Sequence, residues 1–270
     1  MTGEFYVGDC LDVMRSMNEC SVDLVIGSPW YPGKIKRYGL RSKESWPEWF
    51  ARVLVEAGRI TKGYAFFVVN GTYRRGVYDG AVEEAMYRAR VAGAVLDRPC
   101  IWHKNAPPSR KDYFGNDWEY IVAVRHAARM PGLYFNWEAI AEPPRYSNGG
   151  RFRQRGADGK RRLGGEYPKS KLARPRDVFR VLVGGGHMGS KLAHSNEAPF
   201  PEKLVLPFVK AFVPPNGKVL DPFMGSGTTA AVAVQCGVSW VGIDVRQTQM
   251  ELTLERVQEA QNKLQGASVG

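Results

Sequence analysis

The residues best suited to chemistry lie late in the chain, in the stretch KVLDPFMGSGTT at residues 218–229. An apolar run ends at Asp221, and Gly225 and Gly227 then form a turn that small residues suited to a helix follow at once. Glycines let a ligand approach the backbone closely, and the free N–H groups of a new helix attract a phosphate or a carboxylate. This stretch therefore predicts a strand, a ligand-binding turn and a helix.

A second acidic residue follows at the spacing found in nucleotide sites. Asp244 closes the apolar run WVGIDV and lies 19 residues after Gly225. In nucleotide-binding βαβ units, an acidic side chain about 20 residues after the glycine turn holds a ribose hydroxyl. A purely structural turn is the alternative, but the strand before it, the helix after it and the acid at the next strand end favour a binding site.

Two earlier strand ends also carry polar residues. Residues 4–8 predict a strand that ends at Asp9, and the apolar run at 22–27 predicts a buried parallel strand followed by SPWY. Ligands of open α/β sheets bind beyond the carboxyl ends of the strands. The four strand ends are therefore expected to face one crevice.

The elements that must position these ends alternate between strands and helices, which indicates an α/β fold. A capping box at Ser45 and Glu48 opens an amphipathic helix, and the run YAFFVV predicts another buried strand. The remaining predicted elements are a helix over 79–91, strands near 94–104 and 118–125, a helix that starts at 199–202, and a last helix over 246–264.

Composition indicates a globular protein with an anionic partner. The 270 residues are 44% hydrophobic and carry a formal net charge of +11, for which nucleic acid is the commonest partner. The sequence shows neither a membrane-length apolar stretch nor the layout of a signal peptide, so a cytoplasmic protein without membrane contact is expected. The scattered cysteines and histidines show no metal-ligand spacing, and no metal site is expected.

The positive charge is concentrated between residues 145 and 180, which hold 12 basic and three acidic residues. We predict a main domain, residues 1–125 and 194–270, and a basic, loop-rich insertion, residues 126–193, that binds nucleic acid. The basic loop 32–44 is expected to do the same, and a solvated surface loop is the alternative in both cases. The expected contacts are Lys34, Lys36, Arg37, Arg151, Arg153, Arg155, Arg161 and Arg162.

The order of these motifs resembles the β-class of amino-group DNA methyltransferases, in which the target-base segment precedes the cofactor segment. SPWY lies early, DPFMGSGTT lies late, and IWHKN, NDWEYIVAV and HSNEAPFPEKL fall between them. The resemblance implies a Rossmann-like fold with permuted motif order, a mostly parallel twisted sheet and helices on both of its faces. It also implies S-adenosylmethionine as cofactor, double-stranded DNA as substrate, and the insertion as the target-recognition region.

The resemblance further implies roles for individual residues. Asp9 would hold the adenine amine of the cofactor, Asp244 its ribose and Asp221 its methionine part. The complete set of implied cofactor residues is Asp9, Cys10, Phe200, Asp221, Pro222, Phe223, Gly225, Ser226, Gly227, Thr228 and Asp244.

The implied target-base site is Ser28, Pro29, Trp30 and Tyr31. Ser28 and the Pro29 carbonyl would accept hydrogen bonds from the exocyclic amine of a base, and Tyr31 would stack on that base. Such an amine is a poor nucleophile because its lone pair is delocalised into the ring, so orientation and electrostatics must address the barrier. The base must leave the duplex to reach the site.

The predicted reaction is site-specific methylation of an exocyclic amine in DNA, with cytosine N4 preferred to adenine N6 because Ser28 resembles the cytosine enzymes. Trp30 stands where the family usually has a second proline, which keeps a catalytically weakened DNA-binding protein as an alternative. A nicotinamide-dependent oxidoreductase is a third hypothesis, but GSGTTA lacks the last glycine of G-x-G-x-x-G. A homodimer and a restriction endonuclease are the further partners considered.

Overall fold

The computed structural model describes residues 2–32, 44–105, 115–126, 133–144, 150–166, 171–184, 186–196 and 198–267. The chain forms two compact units, Met1–Phe135 with Asp177–Gly270, and Asn136–Arg176. The second unit contains fewer residues than the insertion predicted at 126–193. None of the helices in the described residues is long and apolar enough to cross a membrane.

The strands alternate with helices along the chain, as the apolar pattern indicates. In chain order they are β1 (Gly3–Val7), β2 (Val22–Gly27), β3 (Thr61–Val69), β4 (Tyr73–Arg74), β5 (Val77–Tyr78), β6 (Val95–Leu96), β7 (Cys100–His103), β8 (Trp118–Arg125), β9 (Arg151–Arg155), β10 (Arg161–Glu166), β11 (Val178–Arg180), β12 (Lys218–Asp221) and β13 (Ser239–Asp244).

A nine-stranded sheet forms the centre of the first unit. Its order is β1-β13-β12-β2-β3-β8-β7-β11, and β6 pairs with β8 beside this path. All pairs of neighbouring strands from β1 to β3 in this order are parallel, and β8 runs antiparallel to β3, β6 and β7. The sheet is thus mostly parallel, as expected.

Helices cover both faces of this sheet. The first face carries α1 (Cys10–Ser16), α2 (Trp46–Ile60) and α3 (Ala81–Val91), and the second carries α4 (Glu202–Phe212), α5 (Thr228–Cys236) and α6 (Gln247–Ala267). Successive side chains of β3 alternate between the two cores, because Phe67 packs with Phe50 on one face and Phe66 with Phe208 on the other. The predicted α/β fold with a doubly covered sheet is confirmed.

The parallel register brings the polar strand ends together. β1, β13, β12 and β2 are consecutive neighbours in the sheet, so their carboxyl ends lie at one edge. Asp221 and Asp244 are the last residues of β12 and β13, and Asp9 and Ser28 follow β1 and β2. This is the edge at which the sequence predicts a crevice.

Short strands differ from the prediction in three regions of the chain. The strand expected near 94–104 is two strands, β6 and β7, and the β4–β5 hairpin lies where no strand was predicted. β11 lies in the predicted insertion but pairs in parallel with β7, and Phe179 packs on Phe208 with ring centroids 4.8 Å apart. Strands of two to four residues are too short to show a period.

The second unit contains an antiparallel hairpin of β9 and β10 and one turn of 3-10 helix at Trp137–Ile140. None of its described residues is buried. Phe152 lies across Gly164, where an added Cβ would come within 2.7 Å of the ring.

Candidate active site at the carboxyl ends of the strands

The turn between β12 and α5 is held by carboxylates from two neighbouring strand ends. Gly225 and Gly227 have φ of +51° and +78°, values that favour glycine. Asp244 Oδ2 accepts a hydrogen bond from Gly225 N at 3.1 Å, and Asp221 Oδ1 accepts one from Phe223 N at 2.9 Å. The backbone of the turn is therefore fixed by side chains on both strands.

Asp221 supports this turn from below. Its side chain is 0% exposed, and Oδ2 accepts a hydrogen bond from Thr229 Oγ1 at 2.6 Å. Burial raises the pKa of Asp221 to about 7, although the hydrogen bonds from Thr229 and Phe223 oppose the rise. Gly27 makes room for the carboxylate, because a Cβ there would lie 2.5 Å from Asp221 Oδ1.

The other two carboxylates lie nearer the surface. Asp244 Oδ1 accepts from Arg246 N at 3.0 Å, and burial raises the pKa of Asp244 while Arg246 partly opposes the rise. Asp9 is exposed and caps α1, with Oδ1 accepting from Leu11 N at 2.8 Å and Asp12 N at 3.4 Å. Both capping bonds use one oxygen of Asp9, so Oδ2 stays outside the cap.

The other residues expected to line the cofactor site are mostly buried. The Phe200 carbonyl accepts a hydrogen bond from Thr228 Oγ1 at 3.3 Å, which joins the segment before α4 to the glycine turn. Cys10 packs in the core of the first face, and burial raises the pKa of its thiol. Phe223 is half-buried, and the buried residues of the turn are Pro222, Gly225, Ser226, Gly227 and Thr228.

An arginine that was not predicted to have a role holds the other side of the turn. Arg256 of α6 is 1% exposed, and its Nη1 donates to the Ser226 carbonyl at 3.2 Å and to Thr228 Oγ1 at 2.8 Å. Its Nη2 donates to Glu202 Oε1 of α4 at 2.7 Å. Helical spacing could have indicated that Arg256 is buried. It falls three residues after the buried Thr253 and so lies on the inner face of α6.

Three further residues that sequence reasoning missed surround Gly225. A Cβ on Gly225 would lie 2.7 Å from Asn196 Nδ2. With its amide oriented to satisfy both ends, Gln249 donates to the Gly225 carbonyl at 2.8 Å and accepts from Arg246 Nη2 at 3.1 Å. Asn196 lies within the HSNEAPFPEKL motif, but nothing in the sequence pattern distinguishes Arg246 or Gln249 from surface residues of a helix start.

The segment predicted to hold the target base, Ser28–Tyr31, follows β2 and contacts both β3 and α2. Ser28 Oγ donates to the Val68 carbonyl of β3 at 2.9 Å. The Trp30 ring stacks on Trp49 of α2 with centroids 3.7 Å apart, and the Trp30 carbonyl accepts from Trp46 Nε1 at 2.7 Å. Packing on α2 therefore restricts Trp30.

Tyr31 reaches a buried acid on β8. Its hydroxyl donates to Glu119 Oε2, and Lys104 Nζ donates to Glu119 Oε1. Glu119 is 4% exposed. Neither Glu119 nor Lys104 was predicted to have a role, although a glutamate inside the apolar run WEYIVAV is unusual enough to indicate one.

The residues expected to contact nucleic acid fall into two groups. Lys34, Lys36 and Arg37 lie outside the described residues. The others are exposed on the β9–β10 hairpin of the second unit, namely Arg151, Arg153, Arg155, Arg161 and Arg162.

Within the described ranges, one group of side chains could share a metal ion. The candidate ligand atoms of Glu19, Cys20 and His126 lie within 4.8 Å of one another. The group lies where β2 begins and β8 ends, at the opposite edge of the sheet from Ser28. His126 Nε2 is 2.8 Å from Glu19 Oε1, so a hydrogen bond already pairs two of its members.

The sequence is similar to those of known proteins. The family model described as DNA methylase matches residues 22–255. Type II methyltransferase M.ScaI of Streptomyces caespitosus is 26% identical over 264 residues, which cover 95% of this chain and 82% of that protein. Type II methyltransferase M.PvuII of Proteus hauseri is 23% identical over 279 residues, which cover 90% and 80%.

Two solved structures have a similar fold. The PvuII DNA methyltransferase, named as cytosine-N4-specific, matches with a TM-score of 0.68 and 18% identity over 97% of this chain and 92% of that one. A protein of Thermus thermophilus complexed with S-adenosyl-L-methionine matches with a TM-score of 0.63 and 24% identity over 96% and 94%. At these identities the likeness is one of fold.

Proposed function

The chain belongs to the DNA methylase family, and from this premise we propose that it methylates the exocyclic amine of a DNA base that has left the duplex. The methyl donor is S-adenosylmethionine. Cytosine N4 is the proposed acceptor, with adenine N6 as the alternative. Membership of this family removes the nicotinamide-dependent oxidoreductase from consideration.

The observation that carries the proposal is the hydrogen bond from Ser28 Oγ to the Val68 carbonyl at 2.9 Å. A serine hydroxyl has a single proton, and here that proton is committed to Val68. The Ser28 oxygen is therefore left as an acceptor. An exocyclic amine carries two N–H donors, so an acceptor of fixed polarity at the end of β2 suits it.

The strand ends fit the cofactor by the chemistry of their side chains. S-adenosylmethionine presents donors in its ammonium group, its ribose hydroxyls and its adenine amine, and the chain presents acceptors at the same edge. We assign the ribose to Asp244, the adenine amine to Asp9 Oδ2 and the methionine part to the turn at Gly225–Thr228 with Phe200. Asp221, buried and doubly hydrogen-bonded, keeps that turn in place.

The bound cofactor supplies an electrophilic methyl group on a sulfonium centre, and the chain supplies orientation. Ser28 Oγ and the Pro29 carbonyl accept the two amine N–H groups, and Tyr31 stacks on the base. Gly27 lies against Asp221, so the base segment and the glycine turn are neighbours. A base amine held at Ser28 would therefore lie near the methyl donor, and such orientation is the larger part of the task for a weak nucleophile.

The choice of cytosine rests on Ser28. In having serine at this position the chain resembles family members that methylate cytosine, whereas those that methylate adenine usually have aspartate there. The PvuII enzyme is named as cytosine-specific, but at 18% identity it supports the fold alone. A hydroxyl acceptor has no intrinsic preference between the two amines, so the base is a family-based proposal.

A catalytically weakened protein is the second candidate, because Trp30 replaces the usual proline. Its ring stacks on Trp49, and its carbonyl accepts from Trp46 Nε1. Both contacts hold the segment between Ser28 and Tyr31 in one conformation. This packing favours an active enzyme over a weakened one.

Double-stranded DNA is the proposed substrate, with the exposed arginines of β9 and β10 as backbone contacts in a target-recognition region. A homodimer, a cytoplasmic location and a cognate restriction endonuclease are further proposals. The curated relatives include an orphan methyltransferase of Bacillus amyloliquefaciens, 24% identical over 263 residues. Family membership alone therefore does not imply an endonuclease.

Methyl transfer from radiolabelled S-adenosylmethionine to unmethylated plasmid DNA tests the proposal. Wild-type protein should label the DNA, and Ser28→Ala should reduce the labelling by about a hundredfold if one fixed acceptor is lost. Ser21→Ala is the matched control, because Ser21 lies at the other end of β2 and its buried Oγ has no hydrogen-bond partner among the described residues. Equal labelling by wild type and Ser28→Ala would contradict the assigned site.

A further inference from the structure

A buried carboxylate lies beside the target-base segment and has no part in the proposed methyl transfer. Glu119 of β8 is 4% exposed, and each of its two oxygens accepts a hydrogen bond. One comes from the Tyr31 hydroxyl and the other from Lys104 Nζ. A buried carboxylate is costly unless it is paired and hydrogen-bonded, and these two partners meet both needs.

The three residues come from three separate elements. Glu119 lies on β8 opposite Trp102 of β7, and Lys104 follows two residues after Trp102 on the same face. Lys104 is also tied to the sheet by its backbone, since its N–H donates to the Asp117 carbonyl at 2.7 Å. Glu119 is thus part of the sheet and Lys104 is hydrogen-bonded to it just beyond the end of β7, whereas Tyr31 is on the loop after β2.

This arrangement fixes the Tyr31 ring at both ends. The backbone of the segment holds one end, and Glu119 holds the hydroxyl at the other. We infer that Glu119, neutralised by Lys104, is a positioning residue that orients the Tyr31 ring for stacking on the flipped base. The inference rests on the proposed function, because the role of Tyr31 belongs to that function.

A second tyrosine–glutamate contact in the same region provides a matched control. Tyr120 OH donates to Glu83 Oε1 at 2.8 Å, and Glu83 also accepts from Tyr78 OH at 3.0 Å. Tyr120 is the neighbour of Glu119 on β8, so its side chain lies on the opposite face of the strand. Substitutions of Tyr120 or Glu83 remove the same kind of hydrogen bond but leave the bond between Tyr31 and Glu119 in place.

Steady-state kinetics on plasmid DNA test the inference. Tyr31→Phe keeps the ring and removes the hydroxyl, and Glu119→Gln keeps the size and removes the charge. Each should lower kcat by about ten- to a hundredfold, as expected for a misplaced reactant, with KM for S-adenosylmethionine unchanged. The double variant should be no slower than the worse single variant, and Glu83→Gln and Tyr120→Phe should keep the wild-type kcat.

Two outcomes would contradict the inference that Glu119 orients Tyr31. The first is a wild-type kcat for Glu119→Gln or Tyr31→Phe, and the second is a double variant whose loss is the product of the single losses. A failure of the proposed function would look different, because wild-type protein would then transfer no methyl group. In that event urea unfolding still tests the contact: losses for the two single variants that are additive in the double variant would show that Tyr31 and Glu119 do not act together.

Discussion

Replacing Asp221 with asparagine should stabilise the protein at neutral and alkaline pH. Asp221 is fully buried under the glycine turn, where ionisation is costly. Asparagine has nearly the same shape and keeps an acceptor for the Phe223 N–H, which donates at 2.9 Å in the wild type. The substitution therefore removes the charge and retains most of the packing.

The sign follows from proton binding in the two states. The carboxyl has an ordinary pKa of 3.8, and burial raises the pKa of Asp221 to about 7 in the folded protein. Between these values the folded wild type holds a proton that the unfolded chain has released, so its stability is full below pH 3.8 and falls as the pH rises towards 7. A rise of about three units at about 1.4 kcal/mol each corresponds to a loss of at most about 4 kcal/mol.

Urea unfolding of cofactor-free wild type and Asp221→Asn between pH 4 and pH 8 measures this loss. The two proteins should have similar free energies of unfolding at the acid end, and the variant should become progressively the more stable of the two towards pH 8. Asp12→Asn is the control, because the Asp12 side chain is 77% exposed and its replacement leaves the buried carboxyl of Asp221 in place. A wild type that is more stable than Asp221→Asn at pH 8 would refute the reasoning.

Three other sets of substitutions test separate parts of the structure. Arg256→Met should lower the free energy of unfolding by about 3 kcal/mol because it removes the hydrogen bonds to buried groups of the turn and leaves Glu202 without its ion-pair partner. Adding Glu202→Gln should recover part of the loss in urea unfolding, and a double variant with both losses summed would contradict this. Arg153→Gln with Arg155→Gln should lower the slope of log K against log salt by about 0.9 for each phosphate that the protein no longer neutralises, as fluorescence anisotropy with duplex DNA would show. An unchanged slope would mean that these arginines do not bind phosphate. Trp30→Pro should cost up to about 3 kcal/mol in thermal unfolding because the stack on Trp49 is removed, and wild-type stability would show that this stack contributes nothing.

The strand ends could be predicted from sequence because buried parallel strands are continuous apolar runs that stop at a polar residue or a turn. VDLVIG before Ser28 and the run that ends at Asp244 are clear examples, and both are strands in the structure. The order of the motifs then indicated the family. Each of these patterns lies within a short stretch of the sequence, so it can be recognised without knowing how the chain folds.

The partners of each side chain could not be predicted in this way. Arg256 meets Ser226 from 30 residues away, and Tyr31 meets Glu119 from 88 residues away. Periodicity reports which face of a helix or strand is buried, but not which polar group lies against it. For the same reason the sequence could not show that Asp221 lies beneath the glycine turn, where it orders the backbone.

The identity of the methylated nucleoside tests the central claim most directly. Unmethylated plasmid DNA is incubated with the protein and S-adenosylmethionine that carries a deuterated methyl group, then digested to nucleosides and analysed by mass spectrometry. We predict deuterated N4-methylcytosine with wild-type protein and almost none with Ser28→Ala. Deuterium in N6-methyladenine alone would contradict the choice of base, and deuterium on a ring carbon, or in no nucleoside at all, would contradict methyl transfer to an exocyclic amine.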